Sequence, residues 1–152
     1  MSLRPLTLAA LFPPALVAFA LAACTSADTP VDPVWGKQAC GHCAMLVSDR
    51  SHGAQAVDAR GERLFFDDLG CLIAWEAQNP QANPKHWVRR ADTQDWGAPE
   101  TTRFAHAEHS PMDFGFQGVT SGGAVGWTEV TAAVKQRLAA TAGPAPPNLG
   151  TK

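Results

Sequence analysis

The first segment of this 152-residue chain restricts its fold more than any other. Arg4 is followed from Pro5 to Ala23 by an uncharged, mostly apolar run, broken by Thr7 and Pro13-Pro14 and closing on Leu21-Ala22-Ala23 before Cys24. A retained helix needs about 20 continuous apolar residues to cross ~30 Å of hydrocarbon. This run is shorter and interrupted, with small residues where a peptidase must approach, so residues 1–23 read as a secretory signal. Residues 24–34, rich in Ser, Thr, Asp and Pro, read as a flexible tether. Residues 141–152, with their prolines and glycines, read as a disordered tail. The stretch 35–140 remains to fold, roughly 105 residues, enough for one core and too few for two.

Leu21-Ala22-Ala23-Cys24 resembles the lipobox of bacterial lipoproteins. The resemblance implies that Cys24 is lipidated and anchors the mature chain in the envelope, facing the periplasm. Thr25 rather than an aspartate follows it, which by the same resemblance points to the outer membrane. With Cys24 so assigned, Cys40, Cys43 and Cys71 remain. An odd number of thiols cannot all pair in an oxidising compartment, so at least one is free or held by a metal. Twelve basic and fourteen acidic residues leave the chain near neutrality without a basic stripe, which argues against a nucleic-acid partner.

Residues 54–57 and 63–66 flank Asp58-Ala59-Arg60-Gly61 and predict a hairpin. Asp67 and Asp68 then offer oxygens to the free amides of a first helical turn. Leu69 and the run Cys71 to Trp75 make that helix buried on most sides, and Asn79-Pro80 ends it. Strands are expected at 86–90, 102–107 and 114–119. Trp127, Val130, Val134 and Leu138 recur at the spacing of a final amphipathic helix. The fold class is α+β.

Cys40-Gly41-His42-Cys43-Ala44-Met45 concentrates the chemistry. Cys-Gly-His-Cys is also the tetrapeptide of protein disulfide isomerases, so a thiol-disulfide oxidoreductase using Cys40 and Cys43 is one reading. That chemistry places the first cysteine at the N-terminus of a long helix behind a buried strand. Here the upstream chain is the tether, and Ser48 to Gly53 leaves room for a turn or two at most. Covalent haem requires a histidine where Ala44 stands. A zinc-stabilised interaction module is another reading, with Cys71 and a histidine completing the site. Zinc gives no reason for a thioether, whereas Cu(I) is selected by soft sulfur. Beyond Met1, the chain has two methionines: Met45, beside the dithiol, and Met112, in a Pro- and Gly-bounded loop near His106 and His109. His109 is a further ligand candidate; His42, His52, His86 and His106 read as surface or structural residues. The residues therefore point to non-catalytic Cu(I) binding.

These elements resemble, in order, those of the NosL family of copper-binding lipoproteins. The match comprises the lipobox, Cys40-Gly41-His42-Cys43-Ala44-Met45, Phe66-Asp67-Asp68-Leu69-Gly70-Cys71, Ser110-Pro111-Met112-Asp113-Phe114-Gly115, and Gly122-Gly123 before Trp127-Thr128-Glu129. The resemblance implies a metallochaperone that delivers Cu(I) to a recipient cuproenzyme such as nitrous oxide reductase, on a fold of ββαβ-type units. By position it implies Cys40, Cys43, Met45 and Met112 as metal ligands. Cys71 stays open, because a buried helical cysteine is often a small apolar residue. Ala44 and Asp113 stand where the family has glycine. Only Gln117 to Ser121 separate Phe114-Gly115-Phe116 from Gly122-Gly123, where the family has a helix, so the second unit is expected to be abbreviated.

Overall fold

The computed structural model describes residues 28–142; the signal reading of 1–23, the lipidation expected at Cys24 and the tail beyond residue 142 lie outside the described residues. Strands β1 (Ala54–Val57) and β2 (Arg63–Phe66) form the expected antiparallel hairpin. Helix α1 (Leu69–Gln78) starts on Asp68, whose carboxylate accepts the Gly70 N–H at 2.8 Å, and stops at Asn79 before Pro80. Strand β3 (Lys85–Arg89) returns antiparallel to β1, and the two-residue β4 (Trp96–Gly97) adds to β3, giving the sheet order β2-β1-β3-β4. A 3-10 turn (Pro99–Thr101) leads to a second antiparallel pair, β5 (Arg103–His106) and β6 (Phe116–Val119), and then to α2 (Trp127–Thr141). The chain is thus α+β: β1-β2-α1-β3 forms one ββαβ unit and β5-β6-α2 a shortened second, with no strand after α2 among the described residues.

The strand expected at 114–119 begins only at Phe116. Asp113 (φ 56°) and Gly115 (φ 73°) hold left-handed angles that no ladder accommodates. Phe114 between them turns inward onto α1. A Cβ added to Gly70 would lie 2.1 Å from the Phe114 ring, so only glycine lets this loop sit on the first helical turn.

Phe66, Leu69, Leu72 and Ile73 meet Phe104, Val130 and Val134 in one core, all essentially without exposed surface. Each large side chain gains about 2 kcal/mol on leaving water. The two sheets join where Arg90 bridges Gly118 and the Ala91 N–H bonds the Gly118 carbonyl at 2.8 Å. A side chain at Gly118 would place its Cβ 2.6 Å from the Arg89 carbonyl oxygen.

The stretch 24–34 was expected to be a flexible tether, but its described part lies against the first sheet. Buried Gln55 exchanges hydrogen bonds with the backbone of Val31, at 3.1 Å to its N–H and 3.0 Å from its carbonyl. Asp32 pairs with Arg89 at 2.9 Å and accepts the Trp96 indole N–H at 2.8 Å. Gln55 therefore satisfies its amide within a buried strand by holding a segment 24 residues upstream, a link that local composition does not reveal.

Candidate metal centre

The cysteine tetrapeptide forms a turn rather than the start of a helix. The Cys40 N–H bonds the Met45 carbonyl at 2.7 Å and the Ala44 N–H bonds the Cys40 carbonyl at 3.1 Å, while Ala39 and Leu46 bridge across the base. Ala44 closes the turn at φ 62°. The turn docks on β2 through the Gly41 N–H, which bonds the Phe65 carbonyl at 2.8 Å. The nearby backbone amides of Cys43, His42 and Asp67 favour the thiolate form of Cys40, and that of Met45 the thiolate form of Cys43.

Cys71, in the first turn of α1, completes a cluster. The Sγ atoms of Cys40, Cys43 and Cys71 all lie within 4.8 Å of one another, and none is in a disulfide. Cys40 and Cys71 are buried and Cys43 is half-buried. The Cys71 thiol donates to Cys40 and, with the backbone amides, outweighs burial to lower the Cys40 pKa to about 5. The same hydrogen bond, joined by burial, pushes the Cys71 thiol up; burial is the main influence raising Cys43. Within the trio the balance therefore favours the thiolate on Cys40 over Cys43 and Cys71. Metal–sulfur bonds of about 2.3 Å place sulfurs sharing one ion roughly 4 Å apart. Cys40, Cys43 and Cys71 could hold a metal ion with small inward shifts of their side chains.

Met112 and Met45 stand differently. The Met112 loop is fastened to the start of α1: Asp68 accepts the Ser110 hydroxyl at 2.7 Å and the Met112 N–H at 3.1 Å. The Met112 side chain packs partly against the core and shares with His42, Phe114 and Leu138 a groove of about 460 Å³. Met45 lies on the outer side of the cysteine turn, 54% exposed. His109 is exposed beside Glu108, and His106 stacks on Phe116 with ring centroids 5.0 Å apart. His86 is bound by Glu76 at 2.5 Å and Glu100 at 2.8 Å, and His52 is buried beside Asp49.

Sequence reasoning left Cys71 open, and the buried role of Asp68 went unnoticed beyond its helix cap. The pointer to both is the run Asp67-Asp68-Leu69-Gly70-Cys71, in which capping residues, a small residue and a thiol follow one another. Comparison with protein-family models, with curated proteins and with solved structures finds no match for this chain.

Proposed function

We propose that this chain is a Cu(I)-binding lipoprotein, anchored through Cys24 on the periplasm-facing side of the outer membrane, that carries copper to a recipient cuproenzyme such as nitrous oxide reductase. The observation that carries the reading is the convergence of Cys40, Cys43 and Cys71, with the Met112 loop fastened to the same first turn of α1. In this reading the thiolates capture the ion from the buried side, and the neutral Met112 thioether adds a donor without adding charge. Buried Cys40 and Cys71 leave the half-buried Cys43 and exposed Met45 as the edge where a recipient's ligands take over. Soft donors of this kind favour a monovalent soft ion over harder divalent ones.

The resemblance to NosL proteins gains support from two departures. Ala44 and Asp113 occupy that family's glycine positions, and both hold left-handed backbone angles, 62° and 56°, for which glycine is suited. A second reading draws on the same cluster: three cysteines in a turn and a helix also suit structural zinc, in a module that chelation would unfold.

Titration of the reduced protein under anaerobic conditions, with a competing chelator, separates the two. Copper carriage requires about one Cu(I) per chain, bound far more tightly than Zn(II), and weakened in the Met45→Leu, Met112→Leu double variant. Zinc competing on equal terms, or a double variant that binds Cu(I) like the parent, removes the copper assignment.

A further inference from the structure

The two adjacent carboxylates before α1 each fasten one limb of the centre. Asp67 accepts the N–H groups of Ser48 at 2.6 Å and Asp49 at 2.9 Å, just beyond the cysteine turn. Asp68 has no exposed surface, and the donors to its carboxylate are a backbone amide at each end and a serine hydroxyl, none of them charged. Its Oδ1 caps α1 through the Gly70 N–H, whereas its Oδ2 receives both the Ser110 hydroxyl and the Met112 N–H. Ser110 in turn accepts the Gly115 N–H at 3.0 Å, so one buried oxygen organises the loop from 110 to 115. A helix cap needs only one acceptor. Burying a whole carboxylate without a cation is costly unless donors surround it, and here two of its three donors come from a loop 42–44 residues away.

We infer that Asp68 is a positioning residue for metal capture: its second oxygen seats the Met112 loop against the helix turn that carries Cys71. The inference rests on the copper reading above, in which Met112 donates to the ion. Asp68 touches no metal; it fixes where the thioether stands before the ion arrives.

Asp68→Ser separates the two roles, because serine caps a helix as well as aspartate does but is too short to reach the loop. Chelator-competition titrations with Cu(I) and with Zn(II) are run on the parent, Asp68→Ser, Met112→Leu and the double variant. The expected result is a fall in Cu(I) affinity of roughly ten- to a hundredfold in Asp68→Ser, no further fall when it is added to Met112→Leu, and unchanged Zn(II) affinity. Equal losses in both backgrounds, or a parallel loss of Zn(II) binding, overturn the inference and reduce Asp68 to a structural residue. A Met112→Leu protein that binds Cu(I) normally overturns instead the methionine limb of the copper reading. Should Asp68→Ser fail to fold, Ser110→Ala leaves the helix cap intact and carries the same comparison.

Discussion

Ala44 holds φ 62° and Asp113 φ 56°, angles at which the Cβ of an L-residue crowds its own carbonyl. That crowding costs roughly 1–2 kcal/mol for most residues and less for aspartate, which visits this region several times more often. Ala44 has no side-chain polar group to offset it, and its angle is imposed by the paired hydrogen bonds between Cys40 and the 44–45 backbone. Ala44→Gly is therefore expected to stabilise the metal-free protein by about 1 kcal/mol, read as a higher urea midpoint at constant slope. Asp113→Gly should gain less. An unchanged or lower midpoint for Ala44→Gly would mean that the turn is not held at this angle in solution. Sequence alone marks Ala44 only as an alanine in a loop; the strain becomes visible once both ends of the turn are paired.

At the scale of elements, His86 ties three of them together. It projects from β3, its ring nitrogens meet Glu76 of α1 at 2.5 Å and Glu100 of the 3-10 turn at 2.8 Å, and its ring sits edge-on to Trp127 of α2 at 5.7 Å between centroids. Burial is the largest single influence and disfavours the imidazolium, yet the two carboxylates together outweigh it and raise the pKa above 6.5. A raised native pKa contributes stability that is fully present below 6.5, the unfolded value, and is lost as pH rises through the native one. The stability of the parent minus that of His86→Gln should fall across this window. Urea midpoints of both proteins above and below it measure the difference, and a difference that grows with pH refutes the ion pairing. The hairpin and α1 were legible, because Gly61 in the turn and the Asp68 cap are local signals. Two-residue β4 was not, since pairing with β3 across a tight turn defines it more than its own composition does.

At the scale of the whole molecule, contacts distant in sequence decide what the domain includes. Arg89 is 4% exposed, with its guanidinium 5.5 Å from the centre of the Trp35 ring and 4.8 Å from that of Trp96. Its charge is met by Asp32 at 2.9 Å, 57 residues earlier, and by the Arg50 carbonyl at 3.2 Å. Asp32 also accepts the Trp96 N–H, so one aspartate in the segment read as tether fastens the N-terminal stretch to both β3 and β4. The cysteine centre shows the same limit of local reading: the tetrapeptide was legible from its own residues, whereas Cys71 and the Asp68–Met112 link depend on separations of about 30 to 44 residues. Removing Asp32 would leave a buried guanidinium with one carbonyl and two aromatic faces, short of an acceptor. Asp32→Ala should cost about 2–3 kcal/mol, the usual penalty for an unsatisfied buried charged donor, and should open residues 28–34 to proteolysis. Because the loss comes from the stranded charge, Arg89→Met in the same chain should restore part of it. A four-variant cycle of urea midpoints measures that coupling. Additive losses would mean that Asp32 and Arg89 act independently and that the N-terminal segment is held by its backbone bonds to Gln55 instead.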